Sequence, residues 1–151
     1  MIIVGIPTYN EADNISRLTQ RVDQAANKMG VDVLIVNADS ASTDSTVGTF
    51  MSTPTKNEKV SIQNSTKGKG RNIYSILHYI ASREDVIGCI LIDGDITSFD
   101  ESWLVGQMEM LKNGYDYIIP TYARNYQEGN TTNHFVYPLL GMHLNGKAPR
   151  Q

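Results

Sequence analysis

The 151-residue sequence has one cysteine, Cys89, so it can form neither an internal disulfide nor a cysteine-rich metal centre. Cys89 falls inside an apolar run and reads as a buried, inert thiol. Its three histidines, His78, His134 and His143, have no close partners in sequence and none of the spacing of a zinc site. The longest apolar run, near Ile87 to Ile92, is far short of the roughly 20 residues that span a bilayer. No basic segment with a long apolar core precedes Ile2-Ile3-Val4, so no secretory signal is read and a cytoplasmic location is expected. Positive charge is not in excess. Thirteen Lys and Arg face 16 Asp and Glu, a formal net charge of -3, which argues against nucleic acid as a partner. An anionic substrate would then need a local cation or a metal. The composition that remains, 40% hydrophobic and 19% charged, is that of an ordinary globular chain about one domain long.

Hydrophobic periodicity alternates between strand and helix along the chain. Ile2, Ile3, Val4 and Ile6 form a β-branched run that Pro7 is expected to end. Ile15, Leu18, Val22, Ala25, Ala26 and Met29 make one helical stripe, with Asp13 as a cap and Gly30 as the stop. Val31 to Val36 reads as a second strand, Thr46 to Met51 as a short helix, and Val60 and Ile62 as a third strand. Ile73, Ile76, Leu77 and Ile80 mark another amphipathic helix. Val86 to Ile92 is the most apolar strand and is expected at the centre of the sheet, covered on both faces. Ser98-Phe99-Asp100-Glu101 has the form of a capping box that opens a helix ending before Gly114, with Trp103 on its packed side. Tyr117 to Ile119 reads as a fifth strand, and Phe135 to Leu140 as a last helix near Pro138. This alternation predicts an α/β domain with a largely parallel sheet, in which ligands bind beyond the carboxyl ends of the strands.

Three polar clusters fall at those ends: Thr8-Tyr9-Asn10-Glu11, Asp39-Ser40 and Asp93-Gly94-Asp95. Two carboxylates held one glycine apart repel each other, so a cation must offset them or one must take a proton. A divalent metal with oxygen ligands supplies that offset and leaves positions for phosphate oxygens. Gly94 lets a ligand approach the backbone. A solvated Asp-Gly turn would equally account for the tripeptide taken alone. Lys67-Gly68-Lys69-Gly70 precedes a helix and suits an anion, although it lacks the spacing of a P-loop. Arg124, in the polar stretch from Thr121 to Thr132, is suited to hold an acidic group through paired hydrogen bonds.

Together these segments resemble the family 2-type glycosyltransferases of the GT-A fold. Pro7-Thr8-Tyr9-Asn10-Glu11-Ala12 is similar to the opening P-x-Y-N-E pattern, and Asp39-Ser40-Ala41-Ser42-Thr43-Asp44-Ser45-Thr46 to D-D-G-S-T-D-x-T, departing from it at Ser40 and Ala41. Lys69-Gly70 corresponds to a K-G element and Asp93-Gly94-Asp95 to the D-x-D. A narrower resemblance, carried by Asp93 to Phe99, Trp103, Gly114-Tyr115, the Asn-Thr-Thr-Asn stretch and Pro138-Leu139-Leu140, is to the mannosylglycerate and glucosyl-3-phosphoglycerate synthases.

The resemblance implies a Rossmann-like sandwich and transfer of a sugar from a GDP-mannose or UDP-glucose type donor to a small acidic acceptor. It also implies Mg2+ or Mn2+ on the donor diphosphate. Pro7, Tyr9, Glu11 and Asp39 would then surround the nucleobase and ribose, and Lys69 would approach the diphosphate. Asp93 would hold ribose or sugar hydroxyls and share the metal, Gly94 would belong to the nucleotide-sugar site, Asp95 would be the direct metal ligand, and Arg124 and Thr132 would lie near the acceptor. It assigns no catalytic residue. A further segment of the fold is expected beyond Gln151, so the chain is expected to be one nucleotide-sugar-binding domain lacking its C-terminal part. Self-association through apolar surface at Leu139, Leu140 and Met142 is expected with it.

Two other classes remain open on the sequence. One is a non-catalytic nucleotide-binding or assembly module. The other is a haloacid-dehalogenase-like phosphatase, since Asp93-Gly94-Asp95-Ile96-Thr97 also fits D-x-D-x-T. That fold places its motif after the first core strand, whereas here four elements of α/β architecture precede it.

Overall fold

The computed structural model describes residues 1–120, 139 and 142. The chain divides into two units, Met1–Asp116 and Tyr117–Gln151. The first contains β1 (Ile2–Thr8), α1 (Ala12–Met29), β2 (Val33–Ser40), α2 (Thr46–Ser52), β3 (Glu58–Asn64), α3 (Lys69–Ala81), β4 (Gly88–Leu91) and α4 (Glu101–Lys112). In the second, Tyr117–Ile119 form no strand, contrary to expectation, and Tyr117 is exposed to solvent. Leu139 and Met142 are helical, and the rest of the helix expected near Pro138 lies outside the described residues.

Among the described residues all strand pairings are parallel, in the order β3-β2-β1-β4. The alternation of side chains along β1 and β2 divides the core in two. Ile2, Val4, Ile6, Val33 and Ile35 pack under α1, α2 and α4 through Ile15, Leu18, Val22, Phe50, Leu104 and Met108. Ile3, Leu34, Val36 and Ala38 face the other way, onto Ile76 of α3. A parallel sheet covered on both faces needs continuous apolar strands, and β1 is buried along its whole length.

Among the described residues the central position expected for the Val86–Ile92 run belongs instead to β1 and β2. β4 is shorter, pairs only with β1 among the described residues, and leaves Leu91 exposed, as is Ile87 just before it. A short apolar run carries no information on how many strands flank it. Pro7 does not end β1. Its carbonyl faces Gly94, on the side where β4 has already stopped, so the missing N–H falls where there is no ladder partner. The strand therefore continues to Thr8, paired with Asp39.

β2 starts later than expected, at Val33, and runs on to Ser40, because its polar half is buried with its partners in place. Asn37 donates to the Ile6 carbonyl at 3.1 Å and to Thr8 Oγ1 at 2.8 Å, and accepts from Ser61 Oγ at 3.0 Å. Gly30 ends α1 as expected, with φ 58°. Asp13 does not cap that helix. The Ala12 and Glu11 amides donate to Asp44 Oδ2 at 3.1 Å and Thr46 Oγ1 at 2.8 Å, so the cap comes from the β2–α2 loop and the first residue of α2. Asp100, rather than Ser98, caps α4 by accepting from the Ser102 amide at 2.8 Å. On α3 Leu77 turns outward, half exposed, and Trp103 of α4 is partly exposed with its ring edge-on to Phe99.

Ala41 occupies the glycine position of the D-D-G-S-T-D pattern and has φ 56°, a left-handed conformation that a Cβ disfavours. The strain exceeds the extra backbone entropy that glycine loses on folding, so Ala41→Gly is expected to stabilise the protein by about 1 kcal/mol. Urea denaturation measures this; an unchanged or lower stability would show that the loop accommodates alanine without strain.

Candidate functional site

At the carboxyl ends of β1, β2 and β4 a cavity of about 240 Å³ opens, lined by Pro7, Thr8, Tyr9, Glu11, Ser40, Lys67, Gly68, Lys69, Asn72, Asp93, Gly94 and Asp95. β4 and β2 lie on opposite sides of β1, so this is the point where the strand order reverses, the place where open α/β sheets bind ligands.

The β1–α1 loop and the β2–α2 loop hold each other in place. Asn10, at φ 55°, donates its amide to Ser42 Oγ at 2.8 Å and accepts from the Thr43 amide at 2.8 Å. Asp44 accepts from the Ala12 and Thr46 amides, and from Thr46 Oγ1. Partial burial raises the Asp44 carboxyl, but the hydrogen bonds from Thr46 and Ala12 outweigh it and hold the group below its ordinary range. Tyr9 and Glu11 are thereby presented to the cavity from a braced loop.

The Asp93–Asp95 turn docks on the end of β1. The Gly94 amide donates to the Pro7 carbonyl at 3.3 Å. From α1, Asn14 Nδ2 donates to the Gly94 carbonyl at 2.7 Å and the Ile96 carbonyl at 3.0 Å, while Arg17 donates to Asn14 Oδ1 and the Thr97 carbonyl. A Cβ on Gly94 would stand 2.8 Å from Thr8 Cγ2 and 2.9 Å from the Pro7 carbonyl oxygen.

The third wall is the N-terminus of α3. Ser40 Oγ donates to the Gly68 carbonyl at 3.1 Å and faces the Gly68 amide at 3.2 Å, fixing the Lys67–Lys69 loop. Asn72, buried, donates to the Thr8 carbonyl at 3.0 Å and accepts from Asn64 at 2.8 Å. Lys69 Nζ reaches Asp93 Oδ2 at 2.7 Å, and Lys67 Nζ lies 3.7 Å from the centroid of the Tyr9 ring. The Lys69–Asp93 pair is about half exposed on both sides, where such pairs contribute about 0.2–1 kcal/mol, so it can open to admit a ligand.

The charge balance is uneven. The Glu11 carboxyl is pushed up, first by burial and then by repulsion from Asp95 and Asp44. Among the described residues no three His, Cys, Asp or Glu side chains cluster as a ready metal site. Asp93 and Asp95 are thus two oxygen donors beside an open cavity, which fits an ion that takes its other ligands from water and phosphate, as Mg2+ does.

The cavity brings together Pro7, Tyr9, Glu11, Lys69, Asp93, Gly94 and Asp95 of the residues expected from sequence. Asp39 is not among its lining. Its carboxylate is buried, accepting from Thr8 Oγ1 at 3.0 Å and from the amide and hydroxyl of Ser42 at 2.8 and 2.5 Å. It braces the two loops from beneath. Arg124 and Thr132 lie outside the described residues. The sequence reading missed Asn14 and Asn72, while Ser40 was named with Asp39 at a strand end and Lys67 within the loop suited to an anion. Asn14 and Asn72 each stand four residues before a buried apolar residue of their helix, Leu18 and Ile76, and a polar side chain on an apolar stripe is the signal that points to them.

Gly94→Ala is expected to destabilise the protein by about 1–3 kcal/mol, because the Pro7 backbone cannot yield to the methyl group. Thermal denaturation would contradict the tight docking if the variant melted with the parent. Glu11→Gln is expected to raise the melting temperature at neutral pH. A carboxyl whose pKa is raised on folding costs stability when ionised, so the advantage shrinks as pH falls through the raised value towards the ordinary ~4.3. A pH-independent difference between the two melting curves would remove electrostatics as its cause.

The solved structures most like this chain include glucosyl-3-phosphoglycerate synthase from Mycobacterium tuberculosis. In complex with phosphoglyceric acid it is 23% identical, with a TM-score of 0.66. In complex with Mn2+, UDP-glucose and phosphoglyceric acid it is 21% identical, with a TM-score of 0.70; in both cases 99% of this chain and 53% of that chain are covered. A second relative, a mycobacterial protein, is 24% identical over 99% of this chain and 50% of its own, with a TM-score of 0.68. This chain therefore spans about half the length of the solved relatives it matches, and at these identities the likeness establishes the GT-A fold. No curated protein matches the chain with significance. The sequence model of Glycosyl transferase family 2 matches residues 3–147, nearly the whole chain, and the chain belongs to that family.

Proposed function

We propose that this chain carries the donor site of a glycosyltransferase that moves a sugar from a nucleoside diphosphate to a small acidic acceptor of the glycerate or 3-phosphoglycerate type. One observation carries the reading. A single cavity sets the N-terminus of α3, with Lys67 and Lys69, against the Asp93–Asp95 carboxylates, with Tyr9 alongside. Helix N-termini and lysines bind phosphate, paired carboxylates bind a divalent cation, and a diphosphate with its metal needs both at once. The complexes of the M. tuberculosis synthase with Mn2+, UDP-glucose and phosphoglyceric acid support that pairing of donor and acceptor.

In this reading Tyr9 and Pro7 flank the nucleoside, Lys69 leaves Asp93 for the diphosphate, and Asp93 turns to sugar or ribose hydroxyls. Asp95 and Asp93 are the residues that would hold Mg2+ or Mn2+, which when bound neutralises charge on the departing diphosphate. Asn14 and Arg17 keep the turn in place while the ligands change around it. Asp39 acts by holding Thr8 and Ser42. Arg124 and Thr132 are assigned to the acceptor by family resemblance.

Asp95→Asn has nearly the volume of the parent side chain, so the fold should persist while the metal-dependent part of donor binding is lost. Calorimetric titration with UDP-glucose and with GDP-mannose, with and without Mn2+, is expected to show at least about a tenfold gain from Mn2+ for one donor in the parent and none in the variant. An equal gain in both proteins would remove Asp95 from the metal site.

A further inference from the structure

We propose that Lys67 is a donor-discriminating residue, which covers the Tyr9 ring in the free protein and moves to the phosphates of a nucleoside diphosphate when it binds. The proposal rests on the donor-site reading above. Its ammonium lies 3.7 Å from the Tyr9 ring centroid, within the range of a cation–π contact. Both residues line the same cavity, with Gly68 and Lys69 beside them. Lys67 precedes the first turn of α3 by two residues, so its stem springs from the point where amide donors face an incoming anion.

The geometry sets two consequences against each other. A nucleobase that stacks on this face of Tyr9 must first displace the ammonium, so Lys67 opposes any ligand that offers only a base and a sugar. A ligand that also brings phosphate gives the displaced ammonium a stronger partner than the ring, because a charge-assisted hydrogen bond exceeds an exposed cation–π contact. Lys69 is already occupied, by Asp93, whereas among the described residues Lys67 is held by the Tyr9 ring alone. Phosphate therefore reaches an ammonium that no carboxylate competes for among the described residues. One side chain thus penalises nucleosides and favours their diphosphates.

Lys67→Met keeps an unbranched stem of similar length and removes the charge. Calorimetric titration of the whole chain with uridine, guanosine, UDP and GDP in the presence of Mn2+ tests it. For the base that the parent prefers, the variant is expected to bind the nucleoside about twofold to fivefold more tightly. It should bind the diphosphate about fivefold more weakly. The preference for diphosphate then falls by roughly ten- to 25-fold, the product of the two changes. In the parent, NMR of the Lys67 side chain should show an upfield ring-current shift that disappears on adding the diphosphate. Unchanged affinities in the variant, or both ligands weakened alike, would overturn the role of Lys67 while leaving the donor site intact. A parent protein that binds none of the four would overturn both.

Discussion

Gly94 meets the end of β1 through its backbone alone, with its amide on the Pro7 carbonyl and no room for a side chain between them. The two carboxylates owe their position to that contact. Asp93 and Asp95 flank a residue pinned from one side by β1 and from the other by Asn14, whose amide nitrogen holds the Gly94 and Ile96 carbonyls. A turn bearing two negative charges would relieve repulsion by relaxing outward. Here the relaxation is blocked by hydrogen bonds to groups that belong to the sheet and to α1, so the carboxylates keep their place whether Lys69 or another cation faces them.

The same principle runs beneath the other walls. Asn37, Thr8 and Asp39, all buried, and the half-buried Ser42 form a chain of hydrogen bonds linking β1 and β2 where apolar pairing gives out. Asn72 links α3 to the Thr8 carbonyl, and Ser40 links the Lys67–Lys69 loop to β2. None of the buried side-chain polar atoms among the described residues lacks a partner. In a low-dielectric interior such satisfied networks resist rearrangement, because moving one member leaves others unpaired. The apolar layers set the sheet, and the polar chain at its carboxyl end sets the cavity.

This division accounts for what could be read from sequence. The alternation of strands and helices and the stop at Gly30 follow local pattern and were legible. Pro7 was misread because its missing donor matters only if a partner strand lies alongside, and β4 ends first. The end of β2 was missed because Asn37, Asp39 and Ser40 look like loop residues until their partners are known. At the site, the motif residues that the loops present at the strand ends could be placed, and seven of them line the cavity. Asp39 could not, since a carboxylate facing a ligand and one facing Ser42 have the same sequence. Asn14 and Asn72 are contributed from helix faces and belong to no loop motif.

The departures at Ser40 and Ala41 have different physical standing. Ala41 keeps a backbone conformation that suits glycine, so the loop retains the shape of the pattern at a local cost. Ser40 keeps a hydrogen-bonding role while removing a charge: a carboxylate there would stand beside Lys67 and Lys69, the cations closest to the cavity. With serine, the Gly68 amide and carbonyl are both engaged by one neutral hydroxyl. The positive side of the cavity then answers to Asp93, Tyr9 and whatever ligand enters, rather than to a fixed acid within β2. Both lysines rest on partners that are exposed or uncharged, and such contacts exchange at small energetic cost. A rigid acidic turn facing a rigid backbone loop with movable cations is an arrangement in which ligand charge, rather than a change of fold, decides where the lysines go.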